Sequence, residues 1–343
     1  MSTMLERMSH LLEDFVQQEG QKEGVVGILV FGSFVRGDVR ETSDLDILVL
    51  REDAEEYSRM RRREDGVLLE IHVWPLKLFC GPFLGKMGDP FSDAFRLGVM
   101  RVGRILYDPR GILQKFKDQA KTHRFPLSHI RSIAERAHRG LRLAEELLTR
   151  RELEGAELEI RRAAEDLARA VLLERDVLEI IPPKSYLPHL REEAPEFYSA
   201  FRTIHNLKNI RRETIAATLQ LISEWRERTV GAILREGKKD WLRLGTAIRG
   251  AQTELSNARD CLESGDLEAA VLQARYSAVL VASPIFRLLR GKPADTRSDL
   301  YVELRQTGHP YVEVIRFVME FSCDEQRLRD HLAILKDVAR RYR

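Results

Sequence analysis

The chain of 343 residues is 43% hydrophobic and 32% charged, with a formal net charge of only +2. Its length allows two or three domains with cores of their own, and its near-neutral balance argues against a protein that grips long nucleic acid by charge alone. Three cysteines, Cys80, Cys261 and Cys323, are too scattered for a disulfide framework or a zinc site, which points to a reducing, cytoplasmic setting.

Residues 3–18 carry Met4, Met8, Leu11, Leu12 and Phe15 at helical spacing, an amphipathic stripe. Residues 1–20 mix acidic and basic side chains, unlike a signal peptide, and no apolar run reaches the length of a membrane span, so a soluble protein is expected. The run 25–31 reads as a buried strand ending at Gly32-Ser33. A short polar helix over 34–40 follows, and Ser43-Asp44-Leu45-Asp46 opens a second apolar strand reaching Leu50. Residues 54–63 are charged and read as helix or loop. A third strand, 67–74, runs into Pro75. Helices over 76–86 and 89–100, an edge strand over 103–109 stopped by Pro109, and a closing helix over 111–122 complete this part of the chain.

Paired carboxylates carry the chemistry. Side chains alternate across a strand, so Asp44 and Asp46 leave the same face. A few ångströms apart they repel by about 1–4 kcal/mol at effective dielectrics of roughly 80 to 20, and hard divalent cations such as Mg2+ prefer such oxygen donors. Gly32 lets backbone approach a ligand closely, and the helix start behind it offers N–H groups to phosphate. On the third strand Glu70, His72 and Trp74 share a face, and a glutamate between Leu69 and Ile71 is costly to bury alone. His72 reads as either a contact beside the carboxylates or a structural residue. Other phosphate and nucleophile patterns do not fit: Gly32-Ser33 is not followed by Gly-Lys-Ser/Thr, no Gly-x-Gly-x-x-Gly follows a strand, and Ser33 lies outside a Gly-x-Ser-x-Gly elbow.

Gly32-Ser33, ten residues, then Asp44-Leu45-Asp46, with Arg36-Gly37 in the spacer, resembles the signature of the polymerase-beta-like nucleotidyltransferases, most of all the minimal nucleotidyltransferases of prokaryotic toxin–antitoxin pairs. The resemblance implies an α+β fold, with a small mixed sheet and flanking helices over 1–124. It implies transfer of a nucleoside monophosphate, AMP by default, from NTP to a hydroxyl. Two Mg2+ ions would be held by Asp44, Asp46 and Glu70, with Glu70 also a candidate general base; Gly32, Ser33, Arg36 and Ser43 would bind the nucleotide. Many relatives carry Asp where Glu70 stands, and Glu here is similar to the aminoglycoside nucleotidyltransferases. The acceptor stays open between a protein or tRNA-end hydroxyl, which the minimal type favours, and a small molecule. A nucleotide-binding or interaction scaffold with little turnover is the other reading, and a homo-oligomer is compatible with each.

Phe125-Pro126 marks a boundary, beyond which the period is helical throughout. This region repeats itself at an offset of 114 residues. Ala144, Leu148, Leu153, Glu154, Ala156, Leu158, Arg161, Ala164, Ala168, Leu190 and Arg191 recur as Ala258, Leu262, Leu267, Glu268, Ala270, Leu272, Arg275, Ala278, Ala282, Leu304 and Arg305. Two duplicated all-α helical bundles are expected, 125–237 and 238–343, joined at Gly237-Lys238-Lys239. The turn Ser264-Gly265-Asp266 followed by Leu-Glu-Ala-Ala is similar to HEPN bundles, the usual companions of minimal nucleotidyltransferases. Ribonuclease-active HEPN domains carry Arg, four to six residues, then His late in the bundle. Here Arg124…His129 and Arg131…His138 lie at its start and Arg202…His205 is too short, so nuclease activity is not expected.

Overall fold

The computed structural model describes residues 3–37, 39–41, 43–236 and 241–342, which fold as two units, one up to Phe125 and one from Pro126. In the first unit five strands, β1 (Val25–Phe31), β2 (Asp44–Arg51), β3 (Ser58–Glu64), β4 (Val67–Pro75) and β5 (Arg104–Tyr107), lie in the order β3-β4-β2-β1-β5. Only β2 and β4 run parallel; β1 pairs antiparallel with β2 and β5, and β3 antiparallel with β4. The sheet is therefore mixed, as expected.

Helix α1 (Met4–Glu19) is started by a capping box between Thr3 and Glu6. Its stripe of Met4, Met8, Leu11, Leu12 and Phe15 packs on Ile28, Val30, Leu45, Ile47, Val49, Leu69 and Ile71, each such side chain contributing about 1.5–3 kcal/mol on burial. Because strand side chains alternate, seating Leu45 and Ile47 under α1 turns Asp44 and Asp46 to the opposite face. Beyond that face lie α3 (Leu76–Phe79), a 3₁₀ turn (Pro82–Leu84), α4 (Pro90–Val102) and α5 (Ile112–Thr122), whereas α2 (Ser33–Arg36) sends Phe34 and Val35 into the cluster under α1. Two local expectations change. The stretch 54–63 is neither helix nor featureless loop but supplies β3, which turns into β4 at Asp65-Gly66, both with positive φ (46° and 80°). The segment 76–86 is not one helix: it breaks into α3 and the 3₁₀ turn, because Gly81-Pro82 interrupts it.

The second unit is built, among the described residues, from α6 (Leu127–Thr149), α7 (Leu153–Glu174), α8 (Pro183–Glu193), α9 (Pro195–Ile204), α10 (Arg212–Glu236), α11 (Trp241–Ser264), α12 (Leu267–Arg290), α13 (Arg297–Gln306), α14 (Tyr311–Met319) and α15 (Glu325–Arg340). The expected join at Gly237-Lys238-Lys239 lies outside the described residues. The halves marked by the repeat are interlocked. Helices α6 and α7 form one hairpin, α11 and α12 another; α10 packs chiefly on α11 and α12, while α15 packs on α7 and α6. Likewise α8 meets α12 and α13 meets α7. Side chains 114 residues apart make matching bonds across the halves. Glu154 pairs with Arg305 (3.3 Å) and Arg316 (2.9 Å), and Glu268 pairs with Arg191 (4.0 Å) and Arg202 (2.6 Å). Helix α12 has the length and apolarity of a membrane span, which the sequence reading overlooked; 72% of that apolar window is buried inside the unit, where it serves as a core helix.

Candidate active site

At the end of β1 the chain turns at Gly32, whose φ of 72° and ψ of −151° belong to a region open essentially to glycine. A Cβ there would lie 3.0 Å from Asp46 Cγ and overlap its Oδ2, so backbone and carboxylate meet with no room between them. The next side chain, Ser33, opens α2, and its Oγ is buried with no hydrogen-bond partner. An orphaned buried hydroxyl costs about 1–3 kcal/mol, a cost that a bound phosphate oxygen would remove.

Register places the acidic residues at one level: Phe31 stands opposite Asp46, and Asp46 opposite Glu70 on the parallel neighbour. Asp44 and Asp46 are half-buried between the buried Leu45 and Ile47. Glu70 is only 3% exposed and fully engaged. Arg59 and His72 bind its Oε1, the latter at 3.1 Å, and Arg61 binds its Oε2 at 2.6 Å. Burial alone would raise its pKa, but the His72 hydrogen bond and the Arg59 and Arg61 charges outweigh it and bring the carboxyl down to about 2. His72 Nδ1 lies 2.9 Å from the Tyr57 hydroxyl, and its ring packs among Phe31, Phe95 and Tyr57 at centroid distances of 5.5, 5.6 and 6.1 Å.

Asp46, Glu70 and His72 each offer a ligand atom, and these atoms all lie within 4.8 Å of one another, close enough for one cation. His72, left undecided by the sequence, joins this group, whereas Asp44 flanks it from two residues before Asp46. Ser43 has a different part: its hydroxyl accepts the Arg40 N–H at 2.9 Å and closes the turn into β2. Arg36 sits exposed in the last turn of α2. Sequence reasoning missed Arg59 and Arg61 because it missed β3. The Asp65-Gly66 pair, a strong hairpin signal between strands, could have found them.

Residues 10–91 match the family described as the nucleotidyltransferase domain, a stretch running from within α1 through β1–β4 to the start of α4. No curated protein matches the chain. Among solved structures it is similar to a nucleotidyltransferase-like protein from Exiguobacterium sibiricum 255-15, at 12% identity, with 88% of this chain and 92% of that one covered and a TM-score of 0.41. The segment that sets Gly32 and Ser33 against Asp46 and Glu70 is thus a nucleotidyltransferase domain.

Proposed function

We propose that the first unit transfers a nucleoside monophosphate, AMP by default, from NTP to a hydroxyl of an acceptor. The hydroxyl oxygen bonds to the α-phosphorus, the bond from that phosphorus to its bridging oxygen breaks, and pyrophosphate leaves. One observation carries this reading: a glycine turn pressed against Asp46 beside an orphaned serine hydroxyl, at the level of an acidic group that suits a cation. Asp44, Asp46 and Glu70 would hold two Mg2+ ions, which when bound offset the triphosphate charge and acidify the attacking hydroxyl. Ser33 Oγ and the Gly32 backbone grip phosphate oxygens, Arg36 faces the charge that builds on pyrophosphate, and Ser43 keeps the entry to β2 in place. Glu70 contributes charge rather than basicity. Held by two guanidinium groups and with a pKa of about 2, it takes the hydroxyl proton poorly until Arg59 and Arg61 let go.

The acceptor we favour is an RNA-end hydroxyl, such as a tRNA end, ahead of a protein side chain or an aminoglycoside-like small molecule. On β3, an exposed edge strand, Arg59, Arg61 and Arg63 stand opposite His72, Glu70 and Leu68, a basic row along the site's own face that suits a phosphate-bearing acceptor. The deciding experiment incubates the protein with Mg2+ and α-labelled ATP in the presence of tRNA, total protein or aminoglycosides. Label entering RNA supports the reading; label entering only the small-molecule fraction refutes the acceptor, and absence of pyrophosphate with every NTP refutes transfer itself.

A further inference from the structure

The interlocked helical unit is nearly symmetric in its contacts, and where the symmetry fails it leaves a cavity. Arg161 on α7 donates to the Met319 carbonyl at the end of α14 (2.6 Å) and to the Glu157 carboxylate one turn earlier on its own helix. Glu157 also accepts from the backbone N–H (2.9 Å) and the hydroxyl (3.2 Å) of Ser322. The counterpart arginine, Arg275 on α12, donates to the His205 carbonyl just past α9 (2.5 Å), the position 114 residues before Met319. Its Nε donates to the Val318 carbonyl at 3.1 Å. The residue that corresponds to Glu157 is Val271. No carboxylate on its own helix therefore reaches Arg275, and its acidic partner is Glu320 at 3.3 Å, whose side chain is 47% exposed.

Beside Arg275 lies a cavity of about 250 Å³. Its apolar wall includes Val271 and Ile215, its polar lining Thr214 and Thr218, and its rim the exposed Asn209 and Arg211. In the other half the position corresponding to Val271 holds Glu157, whose carboxylate is taken up by Arg161 and Ser322.

We infer that this cavity is a binding site for a small molecule that carries a carboxylate, which sits against Arg275 as Glu157 sits against Arg161. Arg275 is 5% exposed. Burial, reinforced by the Arg161 charge, pushes its pKa down to about 9, the mark of a cation short of compensation. A bidentate carboxylate is the partner guanidinium matches best. The volume falls below that of drug-sized pockets, which limits the ligand to a short acid whose aliphatic body lies along Val271 and Ile215.

The test uses the full chain, with calorimetry and thermal melts against butanoate, butan-1-ol, butylamine and inorganic phosphate. Butanoate is expected to bind saturably and raise the melting temperature, with butanol and butylamine at least tenfold weaker. Val271→Glu supplies the carboxylate internally; it is expected to fold and to weaken butanoate at least tenfold, while Val271→Gln weakens it less. Glu320→Gln, a change at a half-exposed side chain that leaves folding intact, removes the competing carboxylate and tightens butanoate several-fold. Equal binding of butanol, binding of phosphate without butanoate, no binding at all, or a Glu320→Gln variant that binds more weakly overturns the assignment.

Discussion

Replacing Gly32 by alanine tests the site at its tightest point. The backbone conformation, φ 72° with ψ −151°, costs a non-glycine residue on the order of 1–3 kcal/mol. The added methyl would lie 3.0 Å from Asp46 Cγ and overlap Oδ2, so either the turn or the carboxylate must retreat by about 1 Å to restore ordinary contact. A displacement of that size at reacting groups costs roughly 100-fold in rate. The strain removes at most a few kcal/mol from a unit whose core of α1 against the sheet is untouched. Gly32→Ala should therefore fold, melt about 2–12 °C lower, and release pyrophosphate from ATP at least 100-fold more slowly. Circular dichroism melts and a coupled pyrophosphate assay read both quantities. Wild-type turnover in a folded Gly32→Ala protein would show that the Gly32–Asp46 approach has no part in catalysis.

Other outcomes follow from the same geometry. Asp44→Asn and Asp46→Asn should fold normally and lose pyrophosphate release by several orders of magnitude, since each keeps shape and removes charge; a double variant at near wild-type rate would displace the assigned site. Glu70→Gln should keep NTP binding in a fluorescence titration and lose most transfer. It should also change acid stability: the Glu70 carboxyl is depressed from 4.5 to about 2, so its contribution, on the order of 3 kcal/mol, is present above pH 4.5 and is lost as pH falls toward 2. Urea unfolding of wild type and Glu70→Gln should converge over that window, and a constant difference would contradict the ion-pair account. Residues 126–236 and 241–342, expressed separately, should each fail to fold alone and form helical structure when mixed, because α10 and α15 find their chief partners in the other half; two independently cooperative melts would refute the interlock.

The sheet and its acidic pair were legible because period-2 patterning is local: Leu45 and Ile47 go inward, so Asp44 and Asp46 must face away from them. Gly32 was legible for the same reason, as the residue that ends an apolar strand. The state of Glu70 was not legible. It depends on Arg59 and Arg61 arriving from β3, and 54–63 is so charged that its strand character shows only in the Asp65-Gly66 turn that follows. His72 was ambiguous because its neighbours Phe31, Phe95 and Tyr57 come from three other segments. Ser43 was assigned to the ligand by its place in the motif, whereas its hydroxyl is committed to Arg40 within the turn. The helical period of the second unit was plain along the chain. Which helix packs on which was not, since an apolar stripe such as Ile215, Leu219 and Ile222 on α10 or Leu328, Leu332 and Leu335 on α15 marks a buried face without naming its partner.

The polar members of the repeat explain why the halves interlock. Alanines and leucines recurring at 114 residues require only helices of similar packing, and two separate bundles would satisfy them. Glu154 and Glu268, or Arg161 and Arg275, require more, because a charge with little exposure must find its partner in a fixed place. Each glutamate finds two arginines of the opposite half. Each buried arginine finds a carbonyl at the end of the opposite half's short helix, where the partial negative charge of the helix terminus lies. Separating the halves would break all four of these glutamate–arginine pairs and both arginine–carbonyl bonds, so these residues stabilise the exchanged arrangement over a side-by-side one. At Val271 the second arginine lacks the own-helix carboxylate that serves the first and relies on the half-exposed Glu320 instead, and beside it the packing opens into a cavity.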